Sequence, residues 1–532
     1  MLRAVVTTFL ESLTEREFDA PLLALLSLQG FTDIHFIHGG FEFGKDVIAK
    51  RHDADGQTLR QYSIQSKAGD LGQSDWRAVR PQLEECEYNT RAHPSFDAEL
   101  PRVAVLVTTG ILKGGAPVDA QEFKAACANR GLADFEVWDR NTLVDWLCQN
   151  PSLGLADLSV QDDLVALLGS IARLQVTEPM LERHTRSWLE GDAAPKRLAR
   201  ASIETAMMSH ELRKAHRLDL AAFLALHLYR ASWEPPNTET NGVRSAASNA
   251  ALRLFISTAT ELLDQVEPLL DDPNRLAHSV AGVGYVFTYP AVCSRLAEIF
   301  SLLALIEPPA DPAKRAISAV ASLAAHHPGT TRPPSDQFAA AILPVSTVLA
   351  RTDVNAARAF LREVAQWLLD SYDANKDGLG LGSIDEDEKT QFERIVAGKT
   401  TFTSLNVRNS SYLASVILDA LSITDASELY DVVLKNMDAL RLFATGFRAD
   451  EVHARWRRGG PNVYPHPRII YLPWANRSST SHAAPGTAMD AVLLASVTRT
   501  RHYVGAFEEL IRLTVKDGPM EPSTEAIGGG SE

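Results

Sequence analysis

The sequence predicts an α/β domain over about the first 150 residues, followed by a large all-α region. Short strand patterns precede residue 150, and the clearest is the apolar, β-branched run VAVLVTT at 103–109. After residue 155 strand patterns nearly vanish and amphipathic helical spacing replaces them, as in Ala357, Leu361, Val364 and Leu368.

The elements of the α/β part follow from local patterns. Residues 14–29 are predicted to be helical because Phe18, Leu22, Leu25 and Leu26 share one face and a glycine follows as a stop signal. Alternation and β-branched content predict the strands, and caps and apolar spacing predict the later helices. In chain order these are strands 33–37, 46–50 and 61–67, a helix over 73–91, strand 103–109, a helix near 119–130, strand 135–138 and a helix over 141–148.

The later part of the chain is predicted to be helical throughout. The run LDLAAFLALHLY at 218–229 is almost wholly apolar, so we expect a central buried helix there. Proline pairs, such as those at 235–236 and 308–309, separate the helices. We therefore predict an α/β domain over 1–152 and a helical sensor or assembly domain over 153–516, and we leave a subdivision near 375–410 open. Residues 517–532 are predicted to be a disordered tail.

Length and charge limit the function classes. A chain of 532 residues favours two to four domains. The composition, 45% hydrophobic and 22% charged, is that of an ordinary globular protein. The net charge of -15 excludes a generic polyanion-binding protein, so any nucleic acid would have to bind through local positive patches.

The cysteines and the apolar runs indicate a cytoplasmic protein. The cysteines show neither C-x-x-C pairing nor zinc-ligand spacing with histidine, which fits a reducing cytosol. The start, MLRAVVTTFLESLTEREF, lacks the apolar core of a signal peptide, and no stretch approaches the roughly 18 uninterrupted apolar residues of a membrane span. The four cysteines are Cys86, Cys127, Cys148 and Cys293.

A hairpin in the α/β part carries the candidate site. Side chains alternate faces along a strand, so Gln65 and Lys67 share one face of QYSIQSK. Asp46 begins the preceding strand, and the turn signal DADGQ at 53–57 joins the two strands, so Asp46 can lie beside Gln65 and Lys67.

A carboxylate, a carbonyl oxygen and an ammonium group are the chemistry that phosphodiester cleavage needs. Mg²⁺ prefers oxygen ligands and usually takes only one or two carboxylates from the protein, so Asp46 and Gln65 could be ligands. Lys67 could orient a water or stabilise charge on the phosphate. A further acid on the first predicted helix, Glu17 or Asp19, could complete the shell. An exposed strand edge with a solvated Lys67 would explain the same pattern without any site.

The ordered set of motifs over residues 10–150 resembles the Mrr-like branch of the PD-(D/E)xK nuclease superfamily. The motifs are the acidic–aromatic Glu17-Phe18-Asp19 with Gly30-Phe31, the G-x-D-V-I-A element at 44–49, the half-motif Ile64-Gln65-Ser66-Lys67, and an apolar strand ending in Val107-Thr108-Thr109-Gly110 followed by Val137-Trp138-Asp139.

The resemblance implies a restriction-endonuclease-like fold and a nuclease that cuts DNA, or RNA, with Mg²⁺ or Mn²⁺. In this interpretation Asp46 resembles the metal-binding aspartate and Lys67 the catalytic lysine. Gln65 occupies the usual Asp/Glu position, so this chain departs from the superfamily consensus, as Mrr-like members do. A neutral ligand holds a metal less strongly than a carboxylate, which leaves the number of metals open.

A second candidate surface is the basic and aromatic stretch over 453–486. Interleaved cations and aromatic rings suit a nucleic-acid strand or a nucleotide. A structured loop packed on the helical domain, with its arginines paired to acidic residues, is the alternative. The residues selected for nucleic-acid or ligand binding are Arg455, Trp456, Arg457, Arg458 and Arg468.

The combined interpretation is a nuclease controlled by a helical sensor or oligomerisation domain. Such an architecture resembles prokaryotic antiviral defence effectors, in which a nuclease is fused to a sensor. In this chain a homo-oligomer or a partner defence protein could engage the helical part. Two alternatives stay open, namely a non-catalytic nucleic-acid-binding scaffold and a modification-dependent restriction enzyme.

Overall fold

The computed structural model gives the chain's architecture residue by residue. It describes residues 2–37, 46–53, 56–88, 95–97, 99–149, 158–189, 194–233, 242–280, 285–306, 311–376, 378, 380–384, 386, 390–393, 409–447, 452, 455–456, 467–477, 484, 486–499 and 504–516. The predicted tail at 517–532 lies outside these ranges.

The chain divides into two compact units. The first comprises Met1–Trp233 and Glu239–Leu252, and the second comprises Glu234–Thr238 and Arg253–Glu532. The first unit therefore holds the α/β part together with several helices that follow it.

A five-stranded mixed sheet forms the centre of the α/β part, and its strands lie in chain order. The first three strands pair antiparallel, whereas the third and fourth, and the fourth and fifth, pair parallel. The strands are β1 Thr32–Phe36, β2 Val47–His52, β3 Leu59–Lys67, β4 Arg102–Thr108 and β5 Asp134–Trp138. All five were predicted from the sequence to within a few residues.

Helices cover the sheet, and four of the five found before residue 150 match predicted ones. They are α1 Leu2–Ser12, α2 Glu15–Leu28, α3 Gln73–Tyr88, α4 Ala116–Arg130 and α5 Arg140–Gln149. The first of these was not predicted. The expected class, a mixed sheet with helices followed by a largely helical region, is confirmed at that level.

Aromatic rings fill both faces of the sheet. On one face Trp76 of α3, Phe123 of α4 and Phe135 of β5 pack edge to face, with ring centroids 5.0–5.9 Å apart. On the other face Phe31 contacts Tyr62 of β3 at 4.9 Å between centroids. Edge-to-face packing of buried rings adds to the burial energy and fixes the strands relative to the helices.

The first unit continues with four helices, α6 Leu158–Ala172, α7 Glu178–Thr185, α8 Ala194–Lys214 and α9 Leu218–Ser232. The eighth helix packs along α2 and along α9. Every residue of α9 from Leu220 to Ser232 is buried, which confirms the central helix predicted over 218–229.

Several ionisable groups are buried among these helices, including Glu204 and His227. The Glu204 carboxylate is fully buried and accepts hydrogen bonds from His184, Trp188 and Arg200 at 2.6–2.9 Å. Burial would raise the pKa of Glu204, but the hydrogen bond and charge of His184, with the charge of Arg200, outweigh it and lower the pKa. Burial, with the nearby Arg230 charge, lowers the pKa of His227 to about 3, so this imidazole is neutral at physiological pH.

In its described residues the second unit is largely helical and also contains one short parallel pair, β6 Ser410–Ser411 and β7 Phe443–Ala444. The predicted stripe Ala357, Leu361, Val364 and Leu368 is buried along its face of one helix, as the spacing indicated. The helices are α10 Gly242–Leu270, which begins in the first unit, α11 Pro273–Ser279, α12 Tyr285–Ile306, α13 Asp311–His326, α14 Ala339–Thr352, α15 Val354–Tyr372, α16 Tyr412–Ile423, α17 Ser427–Ala439, α18 Ala488–Thr498 and α19 Val504–Lys516.

The twelfth helix has the length and apolar composition of a membrane span. Within the described ranges it alone does, and 72% of its most apolar window is buried. One mostly buried helix of this kind is weak support for a span, because a core helix has the same composition.

Candidate active site

The Asp46 carboxylate lies beside Gln65, as the hairpin predicted. Asp46 comes immediately before β2, and its backbone N–H donates to the carbonyl of Ile64 at 3.0 Å. Because Val47 is paired with Ile64, Asp46 stands opposite Gln65 and their side chains share a face. The Gln65 amide donates to Asp46 Oδ2 at 2.7 Å.

Two features fix this pair. The Ser66 backbone N–H donates to the same Asp46 oxygen at 2.6 Å, so the carboxylate is held by the strand itself. Gln65 is only 4% exposed, so its amide is buried beside the carboxylate that it contacts. The pair is therefore a pre-formed polar site at the end of a buried strand.

Lys67 is the last residue of β3, and its side chain is about a quarter exposed. Its Nζ lies 3.0 Å from Glu15 Oε1, which belongs to the first turn of α2. The ion pair holds the ammonium group at the end of the strand that also carries Gln65, two residues earlier on the same face.

Glu15, rather than Glu17, is the helix acid that contacts Lys67. The Glu17 carboxylate accepts from the backbone N–H and the hydroxyl of Thr14 at 3.0 and 2.8 Å, which forms a capping box at the start of α2. Its other oxygen lies 3.6 Å from Arg213 of α8. Asp19 is half-buried further along the same helix.

The pKa of Glu17 reflects this structural role. Burial raises the pKa, but the hydrogen bonds from Thr14 and the charges of Arg213 and His210 outweigh it, so the pKa lies below its ordinary value. The sequence held the signal for this assignment. A threonine followed three residues later by glutamate is a capping box, which commits Glu17 to the helix end and leaves Glu15 available.

The oxygens at the site fit a divalent cation with few protein ligands. Turning the Gln65 amide by 180° exchanges its nitrogen and oxygen, and would place Oε1 next to Asp46 Oδ2. Ligands at the Mg²⁺ distance of 2.0–2.1 Å are about 3 Å apart along an octahedral edge, close to the 2.7 Å that separates the Asp46 oxygen from the amide. The described parts of the chain contain no group of three or more His, Cys, Asp or Glu side chains that could hold a metal. Asp46 and Gln65 would therefore hold the ion with water molecules.

Within the described part of the basic and aromatic stretch, two residues are buried in the second unit, whereas most of 467–477 is exposed. Arg455 is 8% and Trp456 1% exposed. The Arg455 guanidinium lies over the Phe447 ring at 4.8 Å and donates to the Thr498 carbonyl at 3.2 Å. These two side chains do not form the exposed stacking surface expected of a nucleic-acid site. Their burial matches the alternative of a segment packed on the helical domain, although both residues are helical and not in a loop.

The other three residues of that group have different outcomes. Arg468 is exposed, and its guanidinium lies over the Phe443 ring of β7 at 3.8 Å. Arg457 and Arg458 fall outside the described ranges.

No protein-family model, curated protein or solved structure matches this chain. The chemistry of the site therefore rests on the residues and distances given above.

Proposed function

We propose that the first unit is a metal-dependent nuclease of the restriction-endonuclease-like, Mrr-like kind, which hydrolyses phosphodiester bonds of DNA, or of RNA. The observation that carries the proposal is the 2.7 Å contact between Asp46 and Gln65, with Lys67 two residues further along the same strand face. A carboxylate, an amide oxygen and an ammonium group at one strand end suit a phosphate substrate.

Each residue has a role that its surroundings support. A bound Mg²⁺ or Mn²⁺ would polarise a phosphoryl oxygen and lower the pKa of a bound water. Asp46, held by the Ser66 N–H, would anchor the ion, and the Gln65 amide oxygen would be its neutral ligand. The Lys67 ammonium would stabilise the negative charge that develops on the phosphate, and Glu15 would orient that ammonium.

The role of the helical region follows by analogy with fused nucleases. Unrestrained cleavage would damage the cell's own DNA, so the helical part would restrain or target the nuclease, through a homo-oligomer or a partner defence protein. An antiviral defence effector in the cytoplasm fits this arrangement. The proposal includes no membrane partner.

Plasmid cleavage tests the proposal directly. Wild type is expected to cut in Mg²⁺ or Mn²⁺ and to stop in EDTA, and Asp46→Ala and Lys67→Ala are expected to lose at least 100-fold in rate, about 2.7 kcal/mol of transition-state stabilisation. Lys124→Ala, on the exposed side of α4, is the matched control and should cut like wild type. Equal rates for wild type and both site variants would reject the nuclease assignment.

One observation favours a non-catalytic nucleic-acid scaffold as the second candidate. The protein groups at the site include a single metal-adjacent carboxylate, Asp46, beside a neutral amide. Under this alternative, wild type and Lys67→Ala would both retain DNA in a gel-shift assay, the variant more weakly, and neither would cut it in any divalent metal.

A further inference from the structure

The segment that follows Lys67 is held by two buried threonines, Thr108 at the end of the neighbouring strand and Thr109 directly after it. Thr108 Oγ1 donates to the Gly69 carbonyl at 2.7 Å, and the Gly69 N–H donates to Thr109 Oγ1 at 2.9 Å. The Thr109 backbone N–H in turn donates to the Lys67 carbonyl at 3.3 Å. The backbone N–H and C=O of Gly69 are thus both hydrogen-bonded to threonine side chains. The Lys67 carbonyl is hydrogen-bonded to the Thr109 backbone.

These hydroxyls replace the apolar residues that the rest of the strand uses. Along β4 the side chains of Val103, Val105 and Val107 are buried. The strand's last residue, Thr108, and the next residue, Thr109, are both 0% exposed. Valine and threonine have nearly the same shape, so packing alone would not require a hydroxyl. A buried hydroxyl is tolerated because it is hydrogen-bonded, and here both are bonded to the backbone next to Lys67.

The backbone geometry shows that this contact is tight. Gly69 has φ +76°, a left-handed conformation that glycine adopts without strain. A Cβ at Gly110 would lie 2.1 Å from the Gly69 carbonyl carbon, so the two loops touch through glycine on both sides. The Gly110 N–H donates to Thr108 Oγ1 at 3.2 Å, which closes the network.

We propose that Thr108 and Thr109 are positioning residues for Lys67. Their hydroxyls fix Gly69, and through it the backbone at the end of β3, so that the Lys67 ammonium leaves the strand at one place beside Asp46 and Gln65. Neither threonine touches the substrate. The kinetic consequence rests on the nuclease function proposed above, whereas the placement of Lys67 does not.

The test removes each hydroxyl at constant shape in the full-length chain. Thr108→Val and Thr109→Val are compared with Thr108→Ser and Thr109→Ser, which keep the hydroxyl. The matched control is Thr205→Val on α8, since Thr205 is 1% exposed and its hydroxyl has no hydrogen-bond partner within the described part of the chain. If a valine variant fails to fold, cysteine is introduced at that position instead, because a thiol is a weaker hydrogen-bonding group than a hydroxyl. The outcomes expected for valine then apply to the cysteine variant.

Two readouts separate positioning from mere stability. The first is cleavage kinetics, in which the valine variants should lose about 10- to 100-fold in kcat with KM within about two-fold, because a displacement near 1 Å can cost that much. The serine variants should recover most of the rate, and Thr205→Val should not change it. A kcat within two-fold of wild type in both valine variants would overturn the proposal.

The second readout does not need activity. Lysines are labelled by reductive ¹³C-methylation, and the Lys67 resonance is identified by its loss in Lys67→Arg. The resonance should shift in the valine variants, return in the serine variants and stay in place in Thr205→Val. An unmoved Lys67 resonance overturns the proposal whether or not the chain cuts DNA. A shifted resonance in a chain that never cuts would support the positioning and reject the nuclease function.

Discussion

Replacing Gln65 by glutamate would place a second carboxyl beside Asp46 in a buried site. The amide nitrogen of Gln65 lies 2.7 Å from Asp46 Oδ2, and the introduced oxygen would take its place. Two negative charges at that separation repel by about 6 kcal/mol at an effective dielectric constant of 20. The site can avoid this repulsion by keeping one proton, as closely spaced carboxylate pairs do.

The cost of keeping that proton sets the expected pH dependence. The pKa of the introduced carboxyl is raised in the folded state above its unfolded value near 4.3. The loss of stability caused by Gln65→Glu is therefore absent at pH values well below about 4.3 and grows as the pH rises through that value. Retaining the proton costs about 1.4 kcal/mol per pH unit, which gives about 1 kcal/mol at pH 5 and about 5 kcal/mol at pH 8.

The assay is thermal unfolding in EDTA at pH 5 and pH 8, followed by a Mg²⁺ titration. A 4 kcal/mol difference corresponds to roughly 8–16 °C in the transition of a unit of 150–250 residues. A metal at 100 times its Kd would restore about 2.7 kcal/mol. The matched control is Gln73→Glu, because Gln73 also contacts a carboxylate, that of Asp119 at 3.1 Å, but at the surface.

The control should lose about 1 kcal/mol or less at either pH, since water and salt screen exposed charges. Equal penalties for the two variants, or a Gln65→Glu penalty that does not depend on pH, would refute the pairing of Gln65 with Asp46. If Mg²⁺ does not change the stability of Gln65→Glu, the metal site is refuted, but the contact between Asp46 and Gln65 is not.

Three further predictions concern the first unit. Glu204→Gln should lower the free energy of unfolding by about 3 kcal/mol at pH 7, because it breaks a buried ion pair. The pKa of Glu204 is lowered in the folded state. The stability difference between wild type and variant in urea melts should therefore shrink as the pH falls through that pKa. His227→Gln should reduce the loss of stability at acidic pH. Folding with a neutral imidazole costs about 1.4 kcal/mol per pH unit below 6.5, down to the folded pKa of about 3. An unchanged loss of stability at acidic pH would show that His227 takes up its proton in the folded state. Gly110→Ala should lower the free energy of unfolding by about 3 kcal/mol, because the new Cβ clashes with Gly69. The control is Gly72→Ala, since a Cβ there meets only a side-chain atom at 3.5 Å. Its stability should stay within about 0.5 kcal/mol of wild type in the same denaturation series.

Local patterns were sufficient for the strands and most helices. The run at 103–109 encodes a buried strand by composition alone, and alternation along β3 placed Gln65 and Lys67 on one face. The first helix was not predicted, although Val6, Phe9 and Leu10 have helical spacing and are buried on one face. It packs on α5, where Arg3 Nη1 contacts Asp145 Oδ1 at 2.6 Å across 142 residues of sequence.

The same distinction explains the candidate site. The Asp46–Gln65 contact follows from a hairpin, which is a local structure with a defined register. The contact of Glu15 with Lys67 joins residues 52 positions apart and depends on where α2 lies against the sheet, so no spacing rule reveals it. The burial of Trp456 likewise depends on packing within the second unit, which an interleaved basic and aromatic pattern does not encode.

The packing of α8 along α2 bears on how this protein can be dissected. A fragment that ends at residue 152 would keep all five strands of the central sheet, with Asp46, Gln65 and Lys67. It would lack α8, which packs against α2, the helix that carries Glu15. The newly bared apolar surface would favour aggregation or fraying of the first turn of α2. The shortest piece suited to expression and crystallisation on its own therefore extends past α9 into the first part of α10, to Leu252, where the first unit ends.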